Sequence, residues 1–278
     1  AQSGVLLRSF DGHTASVRSC SFSPNGQHIL TASDDCSAKL WNTHSGKQLS
    51  SFDDHAYGVN SCAFSSNGQH ILTTSYDDTA KLWNAQSGVL LRSFNENIGT
   101  VLNCAFSADG QHILTASDDH TAKLWDAQSG VLLRSFDGHT ASVRSCAFSA
   151  DGQHILTASG DKTAKLWDAH SGALLRSFDG HTASVRSCAF SPDGQHILTA
   201  SADSTTRLWD ASTGELIRTY FASQTDNLAL SWPARLQDYQ GRHCTLRAID
   251  PDQPIDLSKP RNWILQDQRL AERQPVRT

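Results

Sequence analysis

Val131 to Gly172 reads VLLRSFDGHTASVRSCAFSADGQHILTASGDKTAKLWDAHSG, and the chain before residue 220 is a set of variations on it. Trp41, Trp83, Trp125, Trp167 and Trp209 are spaced by 42 residues, as are Cys20, Cys62, Cys104, Cys146 and Cys188, with no insertion or deletion between copies. A fixed period of this length marks stacked supersecondary units.

Turn chemistry divides one unit into four short apolar segments, rich in Val, Ile, Phe and Thr and too brief for helices. Val143 to Phe148 (strand a) and Ile155 to Ser159 (strand b) flank Ser149-Ala150-Asp151-Gly152. The same turn reads Ser-Pro-Asp-Gly at Ser191 to Gly194, with proline where a turn favours its fixed φ. Ala164 to Trp167 supplies strand c after Gly160-Asp161, and Leu174 to Phe178 supplies strand d after Ser171-Gly172. One such unit does not bury enough apolar surface to offset the entropy of ordering it. Stability has to come from burying both sheet faces between neighbours, in an array or a closed ring.

Gly138-His139 followed by Trp167-Asp168 resembles the WD40 repeat, the blade of a β-propeller. The motif recurs as Gly12-His13 with Trp41-Asn42, Asp54-His55 with Trp83-Asn84, Glu96-Asn97 with Trp125-Asp126, and Gly180-His181 with Trp209-Asp210. Asn42 and Asn84 depart from the Trp-Asp pattern, and Asn97 stands where the other units have His. The resemblance implies an all-β, toroidal propeller of four-stranded antiparallel blades. Five units cover residues 5–46, 47–88, 89–130, 131–172 and 173–214, and the divergent tail is expected as a sixth blade. A seven-bladed ring, or a homo-oligomer in which chains share one ring, is the alternative. Near-identical units of this kind also resemble the WD-repeat regions of bacterial multidomain signalling proteins such as NACHT-type ATPases and kinases.

The two ends break the pattern. Ala1 to Phe10 is identical to Ala85 to Phe94 and to Ala127 to Phe136, so the chain opens in the middle of a unit. Either it is cut from a longer array or its first strand closes the ring by joining the last blade. Residues 221–278 hold five of the seven prolines and lack any Gly-His or Trp-Asp pair. Leu228 to Trp232, Cys244 to Ile249 and Trp263 to Gln266 read as three strands of the sixth blade, with Gly4 to Phe10 as its fourth. A helix from about Lys259, capped by Ser258, is the competing reading. The blade is preferred because closure hides edge strands.

With 23 Lys+Arg against 28 Asp+Glu, the chain carries a formal charge of −5, which argues against a general nucleic-acid binder. No apolar run reaches membrane-spanning length and no signal peptide is visible, so no membrane partner is expected and a cytoplasmic setting is the default. The cysteine column reads as one small buried hydrophobe per blade, with Cys36 and Cys244 as singletons and no disulfide framework.

A Thr, a His and an Asp recur in nearly every unit, which superficially matches a nucleophile-base-acid set. A catalytic site has no reason to be copied at a fixed period, whereas a blade-stabilising network does. In the resembled family these residues form a buried network with the Trp. Carried over, it comprises His13, Thr31, Asp35 and Trp41; His55, Thr73, Asp77 and Trp83; His139, Thr157, Asp161 and Trp167; and His181, Thr199, Asp203 and Trp209. In the third unit only Thr115, Asp119 and Trp125 remain. There Asp119 and Trp125 are expected to lack a partner, the turn to be looser, and Asn97→His to stabilise by about 0.5–1.5 kcal/mol. No catalytic residue is expected. The second His column, His28, His70, His112, His154 and His196, sits at strand starts on separate blades and reads as ordinary polar surface rather than a metal site. No cofactor is expected, and no phosphate-cradling loop is present.

The copies differ unevenly. Gly-Gln-His-Ile-Leu-Thr is unchanged in all five, while the column after the turn Asp holds Cys36, Asp78, His120, Lys162 and Ser204. The column before it holds Asp34, Tyr76, Asp118, Gly160 and Ala202, and the loop ahead of strand a varies in the second and third units. In a propeller both loops open on one rim. The expected role is a non-catalytic protein-interaction scaffold or sensor module that binds a protein or peptide there, through Tyr57, Tyr76, Asp78, Glu96, Ile98, Leu102 and His120. A fragment of an enzyme or ATPase whose catalytic domain lies outside this chain is the alternative.

Overall fold

The computed structural model describes residues 6–96, 99–221, 228–231, 235–238, 243–247 and 264–266. Each unit forms one antiparallel sheet whose strands follow in sequence order. The first unit holds β1–β4 (Val17–Phe22, His28–Ser33, Ala38–Asn42, Gln48–Phe52) and the second β5–β8 (Val59–Phe64, His70–Ser75, Ala80–Asn84, Leu90–Phe94). The third holds β9–β12 (Val101–Phe106, His112–Ser117, Ala122–Asp126, Leu132–Phe136). The fourth holds β13–β16 (Val143–Phe148, His154–Ser159, Ala164–Asp168, Leu174–Phe178) and the fifth β17–β20 (Val185–Phe190, His196–Ser201, Thr205–Asp210, Leu216–Phe221).

The two-residue alternation of a strand sorts each blade into two apolar faces. In the first blade Leu30, Ala32, Ala38, Leu40 and Phe52 pack against Val59, Cys62, Ile71 and Trp83 of the second. The same two sets meet between the third and fourth blades and between the fourth and fifth. The second, third and fourth blades thus close one face with their successor and the other with their predecessor. The inner strands β1, β5, β9, β13 and β17 lie side by side in turn and line the axis. A bulge at the start of strand a, between Val17 and Ser19 in the first blade, and another beside the tryptophan, between Leu40 and Trp41, repeat from blade to blade and add local twist.

The predecessor-facing side of the first blade is open. Val59, Val101, Val143 and Val185 are 0% exposed, whereas Val17 is 52% and Phe22 59% exposed. Cys20 is exposed for the same reason, while Cys62, Cys104, Cys146 and Cys188 are buried. Residues 6–10, expected as part of a strand, join no sheet. They still touch the first blade as strand d touches the next blade elsewhere. The Phe10 ring meets Trp41 at 5.9 Å, as Phe52 meets Trp83 at 5.4 Å, and Arg8 Nη1 donates to the Ser45 carbonyl at 3.2 Å, as Arg134 does to Ser171 at 3.0 Å.

The tail supplies four antiparallel strands, not three: β21 (Leu228–Ser231), β22 (Arg235–Asp238), β23 (His243–Arg247) and β24 (Ile264–Gln266). Arg235–Asp238 has no apolar alternation to announce it. Ile264–Gln266 is strand where the competing reading had helix; Trp232, Ile249, Ser258, Lys259 and Trp263 lie outside the described residues. The backbone of β21 runs beside β17 and β18, against the successor-facing side of the fifth blade. No described helix is long and apolar enough to cross a membrane.

Candidate partner-binding rim

The rim is built on a hydrogen-bond chain inside each blade. In the fourth, Trp167 Nε1 donates to Thr157 Oγ1 at 2.9 Å, Thr157 Oγ1 lies 2.8 Å from His139 Nε2, and His139 Nδ1 lies 2.7 Å from Asp161 Oδ2. With the proton on Nδ1, indole, hydroxyl and imidazole donate in succession and the carboxylate receives. Trp41, Thr31, His13 and Asp35 repeat this at 2.8, 2.7 and 2.8 Å. Trp83, Thr73, His55 and Asp77 do so at 2.9, 2.8 and 2.8 Å, and Trp209, Thr199, His181 and Asp203 at 2.8 Å throughout. Gly138 explains the Gly-His pair: at φ 152° it lies so close to Trp167 that a Cβ would stand 3.1 Å from the ring.

Electrostatics agree with a neutral imidazole on an ionised carboxylate. Burial pushes the Asp203 carboxyl up, but hydrogen bonds from Thr205, His181 and the Thr182 amide outweigh it and hold it at about 2. Burial likewise acts against Asp161, and Thr163 and His139 bring it below the usual range. His139 and His181 are lowered, chiefly by burial, against the pull of their aspartates. Thr157 is 0% exposed and its oxygen is already occupied by the indole, so this set is no site for a substrate.

The third blade corrects one expectation. Asp119 does not lack a partner: Lys123 Nζ sits 2.6 Å from Asp119 Oδ2 and 3.1 Å from Thr121 Oγ1. Trp125 keeps Thr115, with Nε1 donating to Oγ1 at 3.0 Å. The turn is formed like the others, with Asp119 Oδ1 accepting from the Thr121 amide at 3.0 Å and its hydroxyl at 2.6 Å. In the first, fourth and second blades the same lysine points elsewhere: Lys39 to Ser51 Oγ at 3.3 Å, Lys165 to Ser177 Oγ at 3.4 Å, and Lys81 to the carboxylate of Asp54. Asn97 lies outside the described residues.

The turn aspartate also ties the two variable loops together. Asp77 Oδ2 accepts from the Ala56 amide at 3.0 Å, Ser75 Oγ donates to the Tyr57 carbonyl at 2.9 Å, and the Tyr76 amide donates to Gly58 O at 3.1 Å. Tyr57 and Tyr76 therefore stand on bonded loops of one blade, 63% and 44% exposed. A Cβ on Gly58 would lie 3.4 Å from the Tyr76 ring and 3.1 Å from Asp34 Cα, so the glycine lets the first two blades meet beneath that ring. Asp78, Glu96 and His120 are exposed and Leu102 is half-buried on β9 of the neighbouring blade; Ile98 lies outside the described residues.

One feature of the rim was illegible from residue types. The column after the turn aspartate is left-handed in every blade: Cys36 (φ 67°), Asp78 (65°), His120 (70°), Lys162 (74°) and Ser204 (64°). None is glycine, so each turn stores strain of about 1–2 kcal/mol. Burial pushes the thiols of Cys104 and Cys188 up to about 12, which keeps them inert hydrophobes. On the opposite side of the blades, clefts lined by His112 and Phe148, and by His154 and Phe190, repeat between successive blades and so reflect the array itself.

Four-stranded sheets arranged around an axis, four of them stapled by a Trp-Thr-His-Asp chain, define a β-propeller of tandem repeats. The family described as WD domain, G-beta repeat matches residues 4–42, 46–84, 88–126, 130–168 and 172–210. The chain belongs to the WD40-repeat family. A curated relative, the ribosome biogenesis protein BOP1 homolog of Dictyostelium discoideum, is 56% identical over 36 residues, which is 13% of this chain and 4% of that protein. That similarity is about one blade long, and the chain spans only that small share of its relative.

Proposed function

We propose that the chain is a non-catalytic interaction module that binds a protein or peptide on the rim formed by the d-to-a loops and b-to-c turns. The carrying observation is the exposed tyrosine pair, Tyr57 and Tyr76, fixed on two hydrogen-bonded loops. The other four blades have small or polar residues in both places: Ala15 and Asp34, Gly99 and Asp118, Ala141 and Gly160, Ala183 and Ala202. Aromatic side chains held rigidly in solvent are what a binding hot spot requires. In this reading Asp78, Glu96 and His120, which are exposed, and the half-buried Leu102 contribute around the anchor. The WD40 family supports the reading, since its propellers generally serve as scaffolds. A scaffold of this kind suits a larger signalling protein of the multidomain type.

The experiment is selection of a displayed peptide library on the wild-type protein, followed by titration of the selected peptide. Tyr76→Ala is expected to weaken it by about 2 kcal/mol or more while the melting temperature holds. Full affinity for Tyr76→Ala, together with lost affinity for Ser204→Ala on the fifth blade, would relocate the site.

A further inference from the structure

Two columns meet at the rim end of the inner strands: the second residue of each inner strand and the residue just before the turn aspartate. In the first blade they are Arg18 and Asp34, joined by a two-pronged ion pair. Arg18 Nε lies 2.8 and 2.9 Å from the carboxylate oxygens, and Nη2 lies 2.6 Å from Oδ2. The second blade has Asn60 with Tyr76, and the third has Leu102 with Asp118. The fourth and fifth blades keep the arginine and lose the acid: Arg144 stands with Gly160, and Arg186 with Ala202. Both arginines are exposed, and among the described residues neither makes an ion pair or side-chain hydrogen bond. The nearby turn carboxylates are taken, Asp161 by His139 and Asp203 by His181.

We propose that Arg144 and Arg186 form a binding site for the carboxylates of an acidic peptide at the rim end of the inner strands β13 and β17. The geometry of the vacant place supports it. A Cβ built on Gly160 would lie 3.8 Å from Arg144 Nε, so the glycine leaves open the position from which Asp34 reaches Arg18. An incoming Asp or Glu takes the place of that missing side chain and meets the same planar fork of donors. The inner strands β13 and β17 are neighbours, so two forks open on adjacent blades and an extended chain can engage both. The chain's charge is −5, so this cationic spot is a local feature and not a reflection of a basic protein. The site lies on the same rim as the tyrosine pair but on the fourth and fifth blades instead of the second, so either can fail without the other.

The test is titration of fluorescein-labelled hexaglutamate, with hexaglutamine and hexalysine as controls, at low and physiological ionic strength. Hexaglutamate is expected to bind, the controls not, and the affinity to fall with added salt. Arg144→Ala with Arg186→Ala should weaken it about tenfold or more, the worth of a lost charge-assisted hydrogen bond. The decisive variant keeps both arginines and restores their acids: Gly160→Asp with Ala202→Asp should weaken binding as much, with the melting temperature held. Tyr76→Ala should leave it unchanged, because hexaglutamate brings no apolar group. Undiminished binding to either double variant overturns the proposal. So does displacement of the peptide by millimolar inorganic phosphate, which would make the spot a simple anion site.

Discussion

Replacing Lys123 by alanine isolates the one blade that lacks the histidine. In the folded protein Lys123 Nζ holds Asp119 Oδ2 at 2.6 Å, and both side chains are 10% exposed. A hydrogen bond to a charged group is worth about 1.5–3 kcal/mol, and breaking a fully buried pair costs about 3–5. Asp119 retains two donors on its other oxygen, the Thr121 amide at 3.0 Å and hydroxyl at 2.6 Å, which softens the penalty. The expected loss is therefore about 2–3 kcal/mol, on the order of 4–12 °C in Tm for a chain of this size. Lys165→Ala is the matched control. It gives up a 3.4 Å contact with the neutral Ser177 hydroxyl, worth about 1 kcal/mol at most. Asn97→His in the Lys123→Ala background should recover most of the loss by supplying the imidazole that the other blades use. In the wild-type background the same change should do almost nothing, because Lys123 already holds the carboxylate. Urea and thermal melts of the four variants measure all of this. Equal losses for Lys123→Ala and Lys165→Ala, or no recovery on adding His, would refute the reasoning.

Removing residues 221–278 should uncover the fifth blade's successor-facing side, where Ala200, Thr206, Leu208 and Tyr220 are at most 4% exposed; aggregation or oligomerisation is expected, and a monodisperse truncated monomer would rule out the tail as its cover. Ser204→Gly relieves a left-handed residue at φ 64° and should stabilise by about 1 kcal/mol, read as a raised urea midpoint. Stability should fall on acidification in two windows. His139 and His181 are lowered in the folded state, so the unfolded chain takes their protons first and stability drops as pH falls below the ordinary value of 6.5. Asp203, at about 2 when folded, contributes stability above its ordinary 3.8 that is lost as pH falls through the acid range toward 2. A melting temperature that rises between pH 7 and pH 5 would contradict the first window.

The repeat made the blades legible. A 42-residue period, turn residues at fixed offsets and two-residue alternation specify four strands and their faces, and alternation alone puts Thr31 on the same side of β2 as Ile29, opposite Trp41 on β3. The His-Thr-Asp-Trp chain came from the family resemblance, and the recurrence of its members in register favoured a blade-internal role over a catalytic one. Lys123 was not legible, since a long side chain chooses among acceptors that only the folded blade brings within reach. The same holds for Arg144 and Arg186, whose meaning depends on which residue of another loop faces them.

The limit of local sequence is plainest where the chain repeats itself. Leu90–Phe94 and residues 6–10 are both LLRSF, yet the first is strand β8 and the second belongs to no sheet. β8 has β7 to pair with, and among the described residues no strand pairs with residues 6–10. Val17 and Val143 open the same VRSC segment, one 52% exposed and the other 0%, because among the described residues only the second is packed against a neighbouring blade's core residues. Pattern and turn chemistry set the strands, their faces and the polar staple, all of which act within one unit. Pairing and burial need a partner across space, so whether a given copy becomes strand or core was decided by the tertiary structure.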